Sequence, residues 1–386
     1  MQALSDIAKM RPSPIRRIYE KAIQMDDVVF FSLGEPDFDT PPQVVQSAID
    51  SLRRGETHYT PNAGLLALRE AIADNLREYD GVAYDPASEI AVTSGGMEAL
   101  VLSLMAIVEP GDEVILADPS YTNYRDQIAI CRGKPVYVPV REGNGFQFDP
   151  AELRRAVTDR TRAIMVNTPS NPTGAVASRE RLGEIAAIAR ERDLWVIFDE
   201  VYKHLFYGDS PFVNIASLPG MRERTLVLDS CSKTYAMTGW RVGWVAGPAA
   251  VVGNIPKIQE NLCSCVPAFV QRGAICALRT AREDVVRMNA EYRARRDAIV
   301  AGINAIPGLS SLTPEGAFYL FVNIRETGLS SEEFAWRLLE EGHVALSPGS
   351  AFGPSGEGYV RISYASSIDN LEKGVARIAR FVRALS

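Results

Sequence analysis

Lys233 stands in a segment whose composition could support amine chemistry, SCSKTYAMTGWRVGW (residues 230–244). Two serines and a cysteine precede the lysine, and they follow an apolar run with the character of a buried strand. Partial burial would disfavour the charged ammonium, lower the pKa of Lys233 and leave its amine free to form a Schiff base with a carbonyl compound. The segment by itself is also compatible with a solvated lysine on a surface loop.

A carboxylate closes a second apolar run, VIFDEVY (residues 196–202). Asp199 ends the apolar residues, and a carboxylate in such a place requires a cationic or hydrogen-bonding partner. A protonated pyridine nitrogen would be a suitable partner, and the phenol of Tyr202 on the next turn could reach the same ligand. The alternative is an aspartate that caps the following helix.

Two glycines in TSGGMEAL (residues 93–100) join a predicted strand to a predicted helix. Gly95 and Gly96 would allow backbone amides to approach a phosphate at the helix N-terminus, where an anion is favoured. Arg241 could add a bidentate contact to the same phosphate, with Ser230 and Ser232 beside it. An ordinary salt bridge is the alternative for Arg241.

The loop NTPSNPTG (residues 167–174) follows another predicted strand. Asn171 precedes a proline, which favours an extended backbone at the asparagine. Its amide could bind a ligand hydroxyl, or Asn171 could simply occupy a turn, where asparagine is common.

The elements that would position these residues lie between about residues 88 and 248, where short apolar runs alternate with amphipathic stretches. The runs are continuous rather than alternating, as in strands covered on both faces, and their interleaving with helices predicts a mostly parallel α/β sheet. Ligands bind at the carboxyl ends of strands in such sheets. The polar residues expected at those ends are Gly95, Gly96, Asn167, Asn171, Asp199, Tyr202 and Lys233.

The length of 386 residues and a change in the pattern of apolar and charged residues along the chain predict two domains. We expect residues 1–40 to form an N-terminal arm and part of the small domain. We assign residues 41–280 to a large ligand-binding domain and residues 281–386 to a small α+β domain.

Composition restricts the possible functions. The formal net charge is −7, which argues against a nucleic-acid partner and against binding to anionic membranes. Five cysteines without a CxxC pair, together with only three histidines, argue against a metal site. No apolar run reaches the length of a membrane span, and the N-terminal residues lack the apolar region of a secretory signal. We therefore expect a cytoplasmic protein.

Taken together, the motifs resemble the class I family of enzymes that use pyridoxal 5′-phosphate (PLP), in its aspartate-aminotransferase-like branch. The resemblance extends over essentially the whole chain, and ASLPGM (residues 216–221) is similar to the same segment of bacterial arginine–pyruvate and aromatic transaminases. The motifs occur in the family's order: GEPDFDTP, HYTPNAGLLALREAIA, TSGGMEAL, NTPSNPTG, FDEVY, SCSKTYAMTGWRVGW and GYVRISYA.

The resemblance implies a fold and a reaction. The fold is the PLP-dependent transferase fold type I, with a mostly parallel seven-stranded sheet between helices and a smaller α+β domain. The reaction is a ping-pong transfer of an amino group between an L-amino acid and a 2-oxo acid. Lys233 would hold PLP as a Schiff base and shuttle a proton, and Asp199 would keep the pyridine nitrogen protonated. Tyr202 and Asn171 would bind the ring oxygen O3′.

The resemblance also implies the remaining contacts. The phosphate would be held by Gly95, Gly96, Met97, Ser230, Ser232 and Arg241. Tyr121 would stack on the ring, and Arg361 would bind the substrate α-carboxylate beside the backbone of Gly34. Tyr59 would reach the cofactor phosphate of a neighbouring subunit, which implies a homodimer with shared active sites.

Met97 departs from the pattern of family members that act on aspartate. Those members tend to carry a basic residue directly after the two glycines, where it pairs with the distal carboxylate. Met97 offers an apolar thioether instead. We therefore expect aromatic or large aliphatic donors first, basic donors second and aspartate last.

Two other functions fit parts of the sequence. A PLP-dependent C–S β-lyase or a related elimination enzyme would use the same fold, cofactor and motifs. A ligand-sensing regulator of this fold would need a DNA-binding segment, and both the acidic charge and the roughly 30 residues before GEPDF argue against one.

Overall fold

The computed structural model describes residues 7–10, 13–208 and 211–385. Residues 1–6, which the sequence places in the N-terminal arm, lie outside the described residues. The strands are β1 (Val29–Phe30), β2 (Ile90–Thr93), β3 (Glu113–Asp118), β4 (Lys134–Pro139), β5 (Thr161–Asn167), β6 (Trp195–Asp199), β7 (Thr225–Ser230), β8 (Gly243–Ala246), β9 (Ser310–Ser311), β10 (Tyr319–Asn323), β11 (Val344–Ala345), β12 (Ser347–Pro348) and β13 (Tyr359–Ser363).

The α-helices alternate with these strands through the first two thirds of the chain. They are α1 (Pro14–Ala22), α2 (Pro42–Arg53), α3 (Leu66–Asn75), α4 (Gly96–Ile107), α5 (Thr122–Ile130), α6 (Pro150–Ala156), α7 (Arg179–Glu191), α8 (Cys231–Thr234), α9 (Ala249–Val252), α10 (Ile255–Glu260), α11 (Ala268–Thr280), α12 (Arg282–Asn304), α13 (Ser331–Gly342) and α14 (Ile368–Leu385).

A seven-stranded sheet forms the centre of the larger layer, in the order β2-β8-β7-β6-β5-β3-β4. The pairs from β7 through β6, β5 and β3 to β4 are parallel, and β8 is antiparallel to both of its neighbours. This confirms the predicted mostly parallel sheet. Because β5, β6 and β7 run in the same direction, their carboxyl ends meet at one edge.

The central strands are apolar because helices cover both faces of the sheet. Every residue of β2, β7 and β8 is buried, as continuous apolar runs predict. The covering helices begin at residues with capping side chains. Asp149 accepts from the backbone N–H of Ala151 at the start of α6, and Ser178 accepts from that of Arg181 at the start of α7.

A smaller antiparallel sheet, β12-β13-β10-β9, lies in the C-terminal part of the chain. The N-terminal segment joins it, since β1 pairs in parallel with β11 and α1 packs against β12 and α13. Ile18 and Ala22 of α1 are buried in the same apolar core as Leu338 and Ile362. The N-terminal segment that contains α1 and β1 therefore packs on the small sheet.

In the part of the chain that the structure describes, no helix is both long enough and apolar enough to cross a membrane.

Candidate active site

A cavity of about 430 Å³ lies where the ends of β5, β6 and β7 face the smaller sheet. Its volume is within the range of small-molecule sites. All of the site residues nominated above except Gly95 and Tyr59 line it. The cavity thus brings together Gly34, Gly96, Met97, Tyr121, Asn171, Asp199, Tyr202, Ser230, Ser232, Lys233, Arg241 and Arg361.

Lys233 lies on α8, the short helical turn that directly follows β7. The side chain of Ser230 caps this turn by accepting from the backbone N–H of Ser232 at 3.3 Å. Burial lowers the pKa of Lys233 to about 8, and a nearby carboxylate, Glu35, partly opposes that shift. Lys233 Nζ donates to the carbonyl oxygen of Gly34 at 2.5 Å. Lys233 is therefore half-buried, lines the cavity and is easier to deprotonate than an ordinary lysine.

The carboxylate of Asp199 is held by two donors. Tyr124 Oη donates to Asp199 Oδ2 at 2.6 Å, and the backbone N–H of Val201 donates to Asp199 Oδ1 at 3.1 Å. Burial raises the pKa of Asp199, and these two hydrogen bonds oppose the rise. The Val201 contact resembles a cap, but residues 201–204 form a turn rather than a helix. Asp199 is therefore a fixed acceptor on the cavity wall.

Tyr202 meets the smaller sheet across the cavity. Its hydroxyl lies 2.7 Å from the hydroxyl of Tyr319 on β10. Burial raises the pKa of both phenols, so both stay protonated at neutral pH. Tyr121 also lines the cavity, and its ring packs edge-on against Tyr124. The cavity thus carries an aromatic ring and a pair of linked phenols.

A glycine turn opens the N-terminus of α4 toward the cavity. Gly95 has φ +82°, a left-handed conformation that favours glycine. A Cβ at this position would lie 2.6 Å from Arg241 Nη2. Arg241 Nη1 donates to the carbonyl oxygen of Thr238 at 2.9 Å, which holds the guanidinium beside the turn. Backbone amides, a helix N-terminus and a cation thus converge at one place, as anion sites require.

Arg361 on β13 is buried and presents a fixed guanidinium to the cavity. Its Nη1 donates to Asn171 Oδ1 at 2.8 Å, and its Nη2 donates to the carbonyl oxygen of Ser32 at 2.6 Å and to Ser347 Oγ at 3.3 Å. Its Cζ lies 4.4 Å from the ring centroid of Tyr319. Burial lowers the pKa of Arg361, and the surrounding tyrosines oppose that shift.

Gly34 must lack a side chain because Tyr319 occupies the adjoining space. A Cβ on Gly34 would lie 2.0 Å from the Tyr319 hydroxyl. The same loop is tied to the segment that follows α8, since Thr40 Oγ1 donates to the carbonyl oxygen of Ala236 at 2.6 Å. Arg295 of α12 donates to Asp37 Oδ1 at 2.6 Å from the other side. The loop therefore joins the two parts of the molecule at the cavity.

Met97 lies in the first turn of α4 and lines the cavity. Its Sδ lies 3.8 Å from Tyr121 Oη and 3.9 Å from both Asn123 Nδ2 and Gln127 Nε2. These neighbours are neutral. Among the described residues, no cationic side chain donates a hydrogen bond to the Met97 sulfur.

Tyr59 lies away from the cavity of its own chain and is 89% exposed. Its loop is fixed nevertheless, because Thr60 Oγ1 donates to the carbonyl oxygen of Val266 at 3.0 Å and accepts from Gln271 Nε2 at 3.0 Å. An exposed tyrosine on a fixed loop is available to another chain.

A buried lysine joins carboxylates behind the cavity wall. Lys203 Nζ lies 2.9 Å from Asp80 Oδ2, 2.8 Å from Glu200 Oε1 and 3.4 Å from Asp229 Oδ2. Burial disfavours the ammonium, but the carboxylates outweigh it and raise the pKa of Lys203. Burial raises the pKa of Asp229 to about 7, and Asp229 accepts from the backbone N–H of Ser230 at 2.6 Å. The cluster therefore fixes the ends of β6 and β7 relative to each other.

The cavity fits PLP, the cofactor that the resemblance implies. A phosphate matches the glycine turn. Because Gly95 has no side chain, the Arg241 guanidinium can lie directly beside the backbone of this turn. A pyridine nitrogen matches the half-buried carboxylate of Asp199, and an aldehyde matches the amine of Lys233, whose pKa is lowered to about 8. Each functional group of PLP thus has a chemically suitable partner on the wall.

Four contributing residues were missed in the sequence: Tyr124, Tyr319, Ser32 and Ser347. Tyr124 had a usable signal, since it lies one helical turn after Tyr121 on α5 and so shares its face. Tyr319 lies 117 residues from its partner Tyr202, and no local pattern links the two.

The chain is similar to proteins of known family. The family model described as "Aminotransferase class I and II" matches residues 26–378 of this chain. An aspartate aminotransferase of Pyrococcus abyssi is 44% identical over 99% of this chain and 98% of that protein. An arginine–pyruvate transaminase of Pseudomonas aeruginosa is 42% identical over 94% of this chain and 92% of that protein. The crystal structure of an aromatic aminotransferase from Pyrococcus horikoshii has a TM-score of 0.91 and 43% identity, over 96% of this chain and all of that one.

Proposed function

We propose that this chain, which belongs to the class I and II aminotransferase family and is a PLP-dependent aminotransferase, takes its amino group mainly from L-amino acids with aromatic or large aliphatic side chains. Basic donors rank second and aspartate last. The relatives' names include aspartate, aromatic and arginine donors, so overall similarity does not select among them. The side chains of the cavity wall must therefore discriminate between these amino donors.

The single observation that carries the proposal is the neutral surrounding of Met97. A distal carboxylate placed against the thioether would be desolvated without a charged partner, which costs several kcal/mol, and about 1.4 kcal/mol already corresponds to a tenfold loss of affinity. An apolar side chain gains about 25 cal/mol for each Å² that it buries there. The wall therefore favours apolar donors over aspartate.

The donor order is tested by comparing kcat/KM for phenylalanine, methionine, arginine and aspartate with pyruvate as the common acceptor. Phenylalanine or methionine is expected to exceed aspartate by tenfold or more. The variant Met97→Lys should raise kcat/KM for aspartate relative to phenylalanine at least tenfold, because it supplies the missing cation. A parent enzyme that prefers aspartate tenfold would refute the donor assignment.

The chain's own side chains can perform the transfer. PLP, when bound, supplies an electron-withdrawing ring for the carbon that carries the amino group. Lys233 binds its aldehyde and then takes and returns a proton at Nζ. Asp199 holds the proton on the ring nitrogen, and Tyr124 and the Val201 N–H orient the carboxylate. Tyr202 and Asn171 orient the ring from its O3′ side.

Phosphate binding is the task of the glycine turn. Gly95, Gly96 and Met97 contribute the N-terminus of α4, while Ser230, Ser232 and Arg241 supply a side-chain wall. Ser232, Arg241 and Gly96 all face the cavity, which supports this assignment. Tyr121 is placed to cover a face of the ring.

Arg361 binds the substrate α-carboxylate, beside the backbone of Gly34. We expect Arg361→Lys to raise KM for every donor and to lower kcat/KM by about 10–100-fold, since a charge-assisted hydrogen bond contributes about 1.5–3 kcal/mol and an ammonium cannot reproduce the fork. Steady-state kinetics of the variant measures both quantities. Arg325→Lys is the matched control, because Arg325 also stacks on an aromatic ring, Tyr359, but lies outside the cavity. A near-normal KM for Arg361→Lys would place the carboxylate elsewhere.

A homodimer would complete the site through Tyr59. Its exposure supports this, as does the exposure of Leu66 and Leu262 on segments that adjoin its loop. Tyr59 of one subunit would then reach the phosphate in the other. Sedimentation should give twice the mass of the chain, and a fully active monomer would refute the assembly.

We also place the enzyme in the cytoplasm. The five free thiols support this, because cytoplasmic proteins keep their cysteines reduced.

The elimination reaction of a C–S β-lyase remains the alternative use of this fold. Neither the cavity nor the comparisons give an observation in its favour. Release of pyruvate and ammonia from a cysteine conjugate without any added 2-oxo acid would reveal it.

A further inference from the structure

A second aromatic ring lies against the guanidinium of Arg361, and the functions above do not use it. Arg361 Cζ lies 4.9 Å from the ring centroid of Phe352, in addition to its 4.4 Å contact with the ring of Tyr319. A guanidinium is attracted to the face of an aromatic ring, so both rings restrict the orientations that it can adopt. Phe352 is buried and lies in residues 349–356, the 349–356 loop. The position of this loop therefore contributes to the direction in which the guanidinium points.

A buried carboxylate attaches the 349–356 loop to the end of strand β3. Asp118, the last residue of β3, is buried. Its Oδ2 accepts from Ser355 Oγ at 2.8 Å and from the backbone N–H of Ser355 at 3.0 Å, and its Oδ1 lies 3.1 Å from the same nitrogen. In the described part of the chain, Ser355 makes all of the hydrogen bonds to this carboxylate. One side chain of the large sheet thus fixes the loop.

Two further contacts bring the loop against the same strand end. The backbone N–H of Ser120 donates to the carbonyl oxygen of Phe352 at 2.9 Å. Gly353 has φ +136°, which favours glycine, and a Cβ at this position would collide with the Asp118 carboxylate. Phe352 lies only three residues before Ser355, so a shift of Ser355 would displace the aromatic ring.

The contacts of Asp118 indicate a task other than direct chemistry. Asp118 is not among the described residues that line the cavity. A buried carboxylate is unfavourable unless it is hydrogen-bonded or paired with a cation. Burial raises the pKa of Asp118, and the hydrogen bonds from Ser355 oppose the rise. The attachment of the loop is therefore the one interaction that this carboxylate serves among the described residues.

We propose that Asp118 is a positioning residue for Arg361 and acts by holding the Phe352 ring against the guanidinium. The inference rests on the proposed function, in which Arg361 binds the α-carboxylate of the substrates. A loosened loop would leave the charge of Arg361 in place but would let the guanidinium turn away from the orientation that receives a carboxylate. The effect should appear with every substrate that carries an α-carboxylate and should leave the donor order unchanged.

Two inhibitors that each lack one part of phenylalanine separate this role from a general loss of structure. 3-Phenylpropionate has the carboxylate but no amine, and 2-phenylethylamine has the amine but no carboxylate. In the holoenzyme of Asp118→Ala, KM for phenylalanine and the inhibition constant of 3-phenylpropionate should rise about tenfold. The inhibition constant of 2-phenylethylamine should stay within about threefold of the parent, because this amine offers Arg361 no anion.

Conservative and matched variants locate the origin of the effect. Asp118→Asn keeps one acceptor for Ser355 and should give an intermediate rise. Ser355→Ala removes a single hydroxyl and should raise the inhibition constant of 3-phenylpropionate about threefold. Asp112→Ala is the matched control, because Asp112 lies just before the other end of β3, where it accepts from Arg162 Nε at 2.9 Å. Its loss should change neither inhibition constant.

A double-variant cycle tests whether the effect passes through Phe352. Phe352→Leu should itself raise the inhibition constant of 3-phenylpropionate. Adding Asp118→Ala to this variant should raise the constant by less than about twofold more, because residues that act through one contact are not additive. Effects that multiply would show that Asp118 does not act through the Phe352 ring.

Three results would overturn the proposal: an unchanged inhibition constant of 3-phenylpropionate in Asp118→Ala, an equal rise for both inhibitors, or effects that multiply in the cycle. If Asp118→Ala does not fold, Ser355→Ala decides, and an unchanged constant for 3-phenylpropionate in that variant would overturn the proposal. A constant that responds to Arg361→Lys but not to Asp118→Ala would refute the role of Asp118 alone. A constant that responds to neither variant would refute the carboxylate assignment in the proposed function.

Discussion

Replacing Lys233 by alanine is expected to reduce the rate of amino transfer by about 10⁴-fold. A positioned side chain that transfers protons contributes about 10²–10⁴-fold, and Lys233 would also supply the covalent attachment of PLP. In the proposed function Arg241 and Arg361 are engaged with the phosphate and the α-carboxylate, so these neighbours cannot take its place. Single-turnover kinetics with phenylalanine measures the loss.

The same amine predicts a pH dependence. The pKa of Lys233 is lowered to about 8 by burial, and the amine must lose its proton before it can attack the aldehyde. Capture of PLP by the apoenzyme should therefore accelerate as the pH rises through about 8, and this rise should be absent in Lys233→Ala. Lys257→Ala is the control, because Lys257 is exposed and bonded to Asn254 outside the cavity. Comparable transfer rates in the two variants would remove Lys233 from the mechanism.

The second large effect is expected for Asp199→Ala. Charged groups placed against developing charge each contribute about 10²–10³-fold to turnover, and we expect a loss at least as large because the ring nitrogen loses its partner. The fold should persist, because Asp199 is only half-buried at the cavity wall and the main loss is the partner of the Tyr124 hydroxyl, at a cost of about 1–3 kcal/mol. Turnover and the midpoint of thermal unfolding should be measured together.

The comparison with Asp193→Ala sharpens this result. Asp193 precedes the same strand, is 94% exposed and pairs with Arg224, so its loss should affect neither turnover nor PLP affinity. Early unfolding of Asp199→Ala with normal turnover per folded molecule would make Asp199 a capping residue instead.

The positions of Asp199 and Lys233 could be predicted because strand ends leave a local signal. Asp199 directly follows an uninterrupted apolar run, and Lys233 lies a few small and polar residues after another such run; parallel strands bring such ends to one edge. The glycine turn before α4 was predictable for the same reason, since Gly95 and Gly96 separate a strand from a helix. Local chemistry and sheet geometry were sufficient there.

The contacts between the two parts of the molecule could not be predicted in this way. Arg361 donates a hydrogen bond to Asn171, which is 190 residues away in the sequence. Tyr319 of the small sheet packs against Gly34 in the loop after β1. The ion cluster around Lys203 likewise joins three segments that are distant in sequence. Such pairings depend on how the sheets pack, which neither propensity nor spacing encodes.

The measurement that tests the central claim most directly is reduction of the holoenzyme with borohydride, followed by peptide mapping. Reduction makes the bond between PLP and its lysine permanent. The account predicts a single pyridoxyl-labelled peptide with the label on Lys233, and no label after the same treatment of Lys233→Ala. Label on another lysine, or none on the PLP-loaded parent, would contradict the account.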